Sequence, residues 1–323
     1  MPIPLLSLLY TNKEQFISGQ ALANELGVTR AAVWKAVEVL RADGYAILSS
    51  KAKGYRLISV PDLLTEREVP LGLMTERLGR SIVYFDSTDS TNTQAARLAH
   101  DGAPEGTLVI AETQTAGRGR LGRKWESPPG VNLYFTLILR PNIPPTDAPM
   151  ITLASAVALV KATRALYNLP AAIKWPNDML IDFKKCAGIL TEMSAEPERV
   201  RHVILGVGVD VNMERESFPE EIREISTSIW LERGEKANRA ELLRRFLSEM
   251  ESIYVDICSN QKEKILNDWR GLSCTLGRRV TVKGLWGECA GIARDIDGSG
   301  SLLIEKDGGE VVTVTSGDLF FTQ

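Results

Sequence analysis

Residues 117–123 read Gly-Arg-Gly-Arg-Leu-Gly-Arg, so seven positions hold three glycines and three arginines. Glycine lets backbone N–H groups approach a ligand closely, and the guanidinium fork of arginine matches the oxygens of phosphates and carboxylates. Alone, such a segment also suits an RNA-binding or a solvated surface loop. Two further basic clusters follow, Lys-Trp-Pro-Asn-Asp at 174–178 and Lys-Cys-Ala-Gly-Ile-Leu at 185–190. Three such clusters in one globular chain predict an enclosed site for a negatively charged reactant.

Strand patterns lie on both sides of the Gly/Arg segment, at 107–112 and 132–140, and in the second of them leucine and phenylalanine alternate with other residues. The segment is therefore predicted to be a long loop over a sheet, and such connections are usually functional lids or disordered. Further strands are predicted at 81–85, 187–193 and 203–212, and helices at 92–100, 150–166 and 239–260. In the strand at 203–212, Gly206 and Gly208 leave one face open to the close approach of another group.

Several polar and aromatic residues around these elements allow two interpretations each. Ser90, Thr91 and Asn92 come at a predicted helix start, where they either cap free N–H groups or form the polar end of a pocket for an uncharged heterocycle. Trp125 either covers a flat ring or only anchors the loop. Lys174 and Lys185 are either cations of the site or surface lysines at strand ends.

The motifs exclude several kinds of catalysis. The chain has no P-loop sequence, and Gly206-Val207-Gly208 lacks the third glycine of a dinucleotide fingerprint. Its only histidines, His100 and His202, do not suit a Ser-His-Asp triad. Catalysis by placement and charge remains, because an enzyme that joins a carboxylate to a phosphate must neutralise two anions that repel each other. The cations suited to this are Arg118, Arg120, Arg123, Lys174 and Lys185, and Asn177 and Asp178 could orient them or hold Mg²⁺.

The first sixty residues predict a winged helix-turn-helix. Ser18 and Thr29 are placed to cap two short helices, the helix-turn-helix runs from about Gln20 to Val39, and a hairpin with a basic tip follows. Residues 1–60 hold seven Lys/Arg against four Asp/Glu, a net charge of +3, whereas the rest of the chain carries −6. This fits DNA binding, although a module for protein contacts would share the pattern. The residues placed to meet DNA are Arg30, Trp34, Lys35, Lys51 and Lys53.

From about residue 271, short β runs at 279–282, 288–294, 301–305 and 311–315 are separated by Asp-Gly turns, which predict a small antiparallel barrel. We therefore predict an α+β protein with three domains. These are a winged helix-turn-helix (1–60), a catalytic domain with a central mixed β-sheet and flanking helices (61–270), and a small SH3-like β barrel (271–323).

Cysteine usage and hydropathy indicate the cellular compartment of the protein. The four cysteines form no C-x-x-C pair, so a structural zinc site is not expected and thiols of a reducing cytosol are the simpler interpretation. No apolar run approaches about 18 residues, and no signal-peptide pattern begins the chain. We expect a soluble, cytoplasmic protein with no membrane partner.

The order of these motifs resembles the bifunctional bacterial biotin protein ligases that also repress the biotin operon. The resemblance covers essentially the whole chain. It rests on the winged helix-turn-helix, Ser-Thr-Asn at 90–92, the Gly/Arg segment, Lys-Trp-Pro-Asn-Asp at 174–178, the 185–190 motif, the Gly-x-Gly strand and the terminal β barrel. It implies that ATP and biotin are substrates, with Mg²⁺, and that biotinyl-5′-AMP is formed with release of pyrophosphate. Biotin then passes to a lysine of the biotin carboxyl carrier domain of a carboxylase. It also implies a homodimer, promoted by the adenylate, on operator DNA.

The resemblance also implies roles for individual residues. The ureido end of biotin would be bound by Ser90, Thr91, Asn92 and Gln114. Arg118 and Arg120 would order over the biotin carboxylate and the α-phosphate, Lys185 would stabilise charge there, and Trp125 would shield the adenine. Lys185 and Arg118 are the expected catalytic residues. The remaining expected members of the site are Gly117, Gly119, Arg123, Lys174, Asn177 and Gly188. The sequence does not identify the metal ligands.

Two positions depart from the family pattern. Leu121 fills a place where some members carry another arginine, and Asp210 stands where asparagine is usual. Two alternatives to this function stay open from the sequence. A lipoate protein ligase shares the catalytic fold and the adenylate strategy, but a dithiolane does not need the partners that a ureido ring needs. A repressor that binds biotin without catalysis would not need Arg118, Arg120 and Lys185.

Overall fold

The computed structural model describes residues 2–284 and 287–322, with backbone only for Pro2. Contacts divide the chain into two compact units, residues 1–74 and residues 75–323. Each unit has buried apolar residues of its own. The predicted boundary at residue 60 and the separation of 61–270 from 271–323 stay predictions.

The N-terminal unit contains the predicted helix-turn-helix and hairpin. Its elements are α1 (Pro2–Thr11), α2 (Gly19–Glu25), α3 (Arg30–Ala42), β1 (Ala46–Ser50) and β2 (Gly54–Ser59). Both predicted caps are present, since Ser18 Oγ accepts from Ala21 N at 3.0 Å and Thr29 Oγ1 accepts from Ala32 N at 3.2 Å. Helix α1 was not predicted, because its apolar residues follow no amphipathic period.

The segment that follows, residues 61–74, belongs to the same compact unit as the helix-turn-helix. It is irregular along its length, yet Leu64 and Val69 are fully buried. The carboxylate of Glu68 accepts hydrogen bonds from the hydroxyls of Tyr45 and Thr65. Burial of a carboxylate requires such partners. The segment is thereby fastened to the N-terminal unit, which the polar sequence alone does not reveal.

The second unit is built on a mixed β-sheet, as predicted, and two of its seven strands, at 171–174 and 178–181, were not predicted. Its strands are β3 (Ile82–Phe85), β4 (Leu108–Ala111), β5 (Leu133–Leu139), β6 (Ala171–Lys174), β7 (Asp178–Ile181), β8 (Lys184–Ala195) and β9 (Val200–Val209). Their spatial order is β3-β4-β5-β9-β8-β7-β6, with β3 and β4 parallel and the other neighbours antiparallel. The strand predicted at 132–140 is present as β5, and all seven of its residues are buried. A central strand covered on both faces has no solvent side.

Five helices accompany this sheet, α4 (Thr91–His100), α5 (Pro149–Tyr167), α6 (Ile229–Arg233), α7 (Arg239–Cys258) and α8 (Lys262–Leu272). Helix α5 packs against α7, α8 and the sheet. The stretch Pro145–Tyr167 has the length and apolar composition of a membrane span, which the sequence analysis did not expect, but 67% of its most apolar window is buried inside the fold. The helix therefore serves as a core helix here.

The described residues between 279 and 321 form a five-stranded antiparallel sheet, as expected for a small β domain. Its strands are β10 (Arg279–Gly284), β11 (Gly287–Ile296), β12 (Leu302–Glu305), β13 (Val311–Val314) and β14 (Asp318–Phe321), in the order β13-β12-β11-β10-β14. The four predicted runs match the first four strands. Strand β14 was missed because four residues without alternation give little signal.

Candidate active site

One cavity of about 650 Å³ opens in the second unit, a volume typical of sites for small molecules. The predicted site residues that line it are Ser90, Thr91, Asn92, Gln114, Arg118, Gly119, Arg120, Arg123, Trp125, Lys174, Asn177, Lys185 and Gly188. Gly117 is not in the lining. A Cβ there would lie 2.5 Å from the carbonyl oxygen of Trp125, so this glycine permits close packing of the loop backbone.

The floor of the cavity is a row of glycines on β8 and β9, which bring Gly188 directly opposite Gly208. A Cβ on Gly206 would lie 2.0 Å from Asn92 Oδ1, and one on Gly208 would lie 2.7 Å from the Trp125 ring. The prediction that these glycines admit another group is confirmed. The groups admitted are the Asn92 amide and the Trp125 indole.

The polar end of the cavity is formed where β3 leads into α4. Ser90 occupies the N-cap position, but its side chain makes no capping bond, so the capping interpretation is wrong for Ser90. The backbone N–H of Thr91 donates to Gln114 Oε1 at 2.9 Å. The Asn92 amide is fixed from both sides, because Thr136 Oγ1 donates to its Oδ1 at 2.8 Å and its Nδ2 donates to Glu192 Oε2 at 2.8 Å. This end therefore presents neutral donors and acceptors in defined orientations.

The three arginines of the Gly/Arg segment are each held by a separate partner. Arg118 lies 3.6 Å from the Glu192 carboxylate. Arg120 donates to Asn177 Oδ1 at 2.9 Å and to the carbonyl of Gly317 at 3.2 Å. Arg123 is paired with Asp318 of β14. Burial lowers the pKa of the Arg120 guanidinium, and Asp318 and Asp178 oppose the shift.

Both lysines of the predicted site, Lys174 and Lys185, line the cavity. This favours their interpretation as cations of the site over that of surface lysines. Lys185 Nζ lies 2.7 Å from Asp178 Oδ1 and 5.6 Å from the centre of the Trp125 ring. Lys174 Nζ lies 5.8 Å from the centre of the Phe321 ring. Burial lowers the pKa of Lys174, with Asp178 acting in the opposite direction. A partly desolvated ammonium attracts an anion more strongly than one in bulk water.

The Trp125 ring packs against the glycine floor, so that its atoms would lie 3.1 Å from a Cβ added to Gly188 and 2.7 Å from one added to Gly208. Its Nε1 is buried and has no hydrogen-bond partner among the described residues. The indole lines the cavity, and the backbone N–H of Trp125 donates to the carbonyl of Gly117 within the loop. That Trp125 covers a flat ring stays a prediction.

Residues that the sequence analysis missed form an apolar wall. They come mainly from the irregular segment after β9, from the β7–β8 turn and from β14, and are Leu180, Phe183, Met213, Phe218, Ile222, Ile225, Phe320 and Phe321. Apart from Leu180 in β7, these positions gave no periodic signal, so only the three-dimensional fold brings them together.

Asp210 also lines the cavity, at the end of the glycine row on β9. One of its carboxylate oxygens, Oδ1, accepts from Asn132 Nδ2 at 2.8 Å. Burial raises the pKa of this carboxyl well above its usual value, and the positive charge of Lys185 opposes the shift. Asp210, one of the two positions that depart from the family pattern, is thus a buried carboxylic acid that lines the same cavity as the cations.

The described residues contain no group of three or more His, Cys, Asp or Glu side chains suited to a metal ion. Three carboxylates at the cavity are paired with cations, Asp178 with Lys185, Asp318 with Arg123 and Glu126 with Lys124. All four cysteines are free thiols.

The residues predicted to meet DNA lie in the N-terminal unit. Arg30, Trp34 and Lys35 are exposed on the outer side of α3, while Val33 and Val37 are fully buried on the inner side. Lys51 and Lys53 are exposed at the turn between β1 and β2. The Lys53 ammonium lies 6.0 Å from the centre of the Phe16 ring. That these side chains contact DNA stays a prediction.

Comparison with known proteins gives three family matches in chain order. A helix-turn-helix domain model matches residues 4–56, the biotin/lipoate A/B protein ligase family matches residues 84–210, and the biotin protein ligase C-terminal domain matches residues 275–322.

Individual relatives match over nearly the full length. The bifunctional ligase/repressor BirA of Bacillus subtilis is 43% identical over 94% of both chains. The protein of the same name from Escherichia coli is 30% identical over 95% of this chain and 93% of its own. Among solved structures, a biotin protein ligase from Aquifex aeolicus in complex with biotin and ATP has a TM-score of 0.63 and 28% identity, covering 76% of this chain and 99% of that one.

Proposed function

The chain belongs to the family of bifunctional biotin ligase/repressors, and we propose that it activates biotin with ATP to biotinyl-5′-AMP and transfers biotin to a lysine of a biotin carboxyl carrier domain. The single observation that carries this proposal is the cavity. It joins the neutral hydrogen-bonding end at Ser90, Thr91 and Asn92 to six cationic side chains and to the Trp125 ring. The ureido ring of biotin complements the neutral end of the cavity. The biotin carboxylate and the ATP phosphates complement the cations, and the adenine complements the Trp125 ring.

In the first step, an oxygen of the biotin carboxylate attacks the α-phosphorus of ATP. A new O–P bond forms, the bond to the β-phosphate oxygen breaks, and pyrophosphate leaves with the electron pair. Both reactants are anions, so the role of Lys185, Arg118 and Arg120 is to neutralise them and fix their approach. The ion pair of Lys185 with Asp178 at 2.7 Å supports this role, because it holds the ammonium at the cavity before substrate arrives.

In the second step, the amine of the acceptor lysine attacks the biotinyl carbonyl. An amide bond forms, the bond to the phosphate oxygen breaks, and AMP leaves while the amine loses a proton. The arginines of the Gly/Arg segment would retain the adenylate until then, since each already has a fixed position at the cavity. Retention matters because an acyl-phosphate is open to attack by water.

Mg²⁺ fits this site as an ion delivered with ATP. It favours one or two carboxylates together with phosphate oxygens, and Asp178 at the cavity is the carboxylate that would hold it. The ion would neutralise phosphate charge. Phosphate oxygens of ATP would supply further ligands to the ion, so the protein need not provide a full set.

The regulatory half of the proposal concerns the N-terminal unit. The adenylate-bound chain would form a homodimer that places two winged units on operator DNA and represses biotin genes. Support comes from the exposed cations of α3 and of the β1–β2 turn, and from the relatives named as repressors. The protein would encounter both the acceptor protein and the DNA in the cytoplasm. This compartment is reducing, so the four free thiols would stay reduced there.

The test is labelling of a biotin carboxyl carrier domain by the full-length protein, followed by mass spectrometry. We expect one biotinyl group per acceptor with ATP and biotin, none when lipoate replaces biotin, and none on an acceptor whose target lysine is changed to arginine. Folded protein that binds biotin but leaves the acceptor unlabelled would support a regulator without ligase activity. Labelling with lipoate instead would support a lipoate ligase.

A further inference from the structure

Trp34 is an exposed aromatic residue in the middle of a charged helix face. It lies in α3 with 55% of its surface exposed, although its neighbour Val33 is fully buried. Indole is the largest side chain, and most of its surface is apolar. A position that only had to keep α3 helical and soluble would not need it.

The fold of the N-terminal unit does not explain this residue. Along the described ranges 2–284 and 287–322, the Trp34 side chain takes part in no hydrogen bond, aromatic pair or cation–π contact. The inner face of α3 is packed without it, by Val33, Ala36, Val37 and Leu40. Trp34 is therefore free to contact a partner.

The charges around Trp34 identify the kind of partner. Arg30 precedes it by about one helical turn, Lys35 follows it directly, and both are exposed. The only acidic residue of α3, Glu38, is neutralised by Arg41 at 2.7 Å. The result is an apolar patch with a positive rim. Duplex DNA matches it, because phosphates flank the major groove and the 5-methyl group of thymine is the apolar feature inside it.

We propose that Trp34 determines part of the operator sequence by packing its indole against the methyl group of thymine in the major groove. Trp34 is the fifth residue of α3, and the N-terminal residues of a recognition helix are those that contact base edges. Arg30 and Lys35 then bind phosphate and set the position of the helix, which carries no sequence information by itself. This inference rests on the proposed operator binding.

The experiment uses the full-length protein with ATP and biotin. A DNA duplex is first selected by this protein from a random-sequence pool, and each thymine is then replaced singly by deoxyuridine, which lacks only the methyl group. Wild-type protein is expected to lose about fourfold in affinity at one or two positions, the effect of one buried methyl group. Trp34→Ala should bind the parent duplex more weakly and respond to none of the replacements.

Two variants serve as controls. Trp34→Phe retains an aromatic face and should keep the response to deoxyuridine. Val255→Ala changes an apolar residue that is 57% exposed in α7, outside the N-terminal unit, and should keep both the affinity and the response. Because Trp34 is exposed, melting temperatures of all variants should match that of the wild type.

The outcomes separate this inference from the proposed function. If no duplex is enriched from the pool, operator binding itself is refuted and the role of Trp34 with it. If a duplex is bound but Trp34→Ala shows the same response to deoxyuridine as the wild type, only the role of Trp34 is overturned. An equal loss by Trp34→Ala on the selected duplex and on an unrelated duplex would also overturn it, because the indole would then contact the DNA backbone.

Discussion

At the scale of single residues, the position of Lys185 explains why a charged side chain is tolerated beside an apolar strand. Its ammonium is paired with Asp178 and lies over the Trp125 ring, so it is stabilised without being part of the core. Replacing it with alanine removes a group that should act on charge in the transition state. We expect Lys185→Ala to slow adenylate formation by about 10²–10³-fold, which single-turnover pyrophosphate release would measure.

The fold of the Lys185→Ala variant should survive. Circular dichroism and thermal melting close to those of the wild type are the expected control. Loss of structure would mean that the residue is structural and would contradict its catalytic role.

The glycine floor offers a steric test. In Gly206→Ala the new methyl group would lie 2.0 Å from Asn92 Oδ1, so the Asn92 amide must move away from its position at the polar end. We expect biotin affinity, measured by calorimetry, to fall at least tenfold. Gly308→Ala is the matched control, because nothing lies within 4 Å of a Cβ there. Equal biotin affinity in the two variants would show that Asn92 does not depend on this glycine.

Asp210 predicts a pH dependence of stability. Its pKa in the folded protein is raised by burial, so the folded state holds this proton more tightly than the unfolded state does. The contribution of Asp210 to stability is therefore full below the unfolded pKa of about 4 and is lost as pH rises toward the folded pKa. Asp210→Asn removes the titration and can still accept from Asn132.

The measurement is the difference in melting temperature between Asp210→Asn and wild type across pH. We expect the advantage of the variant to grow as pH rises from about 4 to 7. A difference that stays constant over this range would contradict a raised pKa at this position.

At the scale of elements, the Gly/Arg segment is linked to β14 through Arg123 and Asp318, although 195 residues separate them in sequence. We expect Asp318→Asn to release adenylate faster, by about fivefold at most, because a partly exposed ion pair contributes up to about 1 kcal/mol. Dissociation of labelled adenylate would measure this rate. Asp307→Asn, which breaks an exposed pair with Arg279 in the same sheet and outside the cavity lining, should leave the rate unchanged. Equal rates in the two variants would contradict the link.

Elements set by local chemistry were predictable from the sequence. The caps at Ser18 and Thr29 and the antiparallel strands between Asp-Gly turns depend on residues a few positions apart. The basic motifs at 117–123, 174–178 and 185–190 were recognisable for the same reason, and they do meet at one cavity.

Elements and contacts set by tertiary packing were not predictable. The apolar wall at Phe218, Ile222 and Ile225 lies in an irregular segment without a period. The pairing of Arg123 with Asp318 depends on where β14 lies, and β14 itself is too short to give a signal. The burial of Leu64 and Val69 likewise depends on the fold around them, not on their neighbours in sequence.

At the scale of the whole molecule, the two units divide the proposed activities. Every residue that lines the cavity lies between Ser90 and Phe321, and every residue predicted to contact DNA lies within 1–74. Deletion of residues 1–74 should therefore abolish binding to the selected duplex in a gel-shift assay, while acceptor labelling persists. Equal DNA affinity of both proteins would contradict the assignment of DNA binding to the first unit.

The central claim is that one cavity neutralises a carboxylate and a phosphate until they bond. Its most direct test is pyrophosphate release in a single turnover, with ATP and either biotin or lipoate as the acid. We predict one pyrophosphate per protein chain with biotin and none with lipoate or without acid. Folded protein that binds biotin and ATP yet releases no pyrophosphate would contradict the claim.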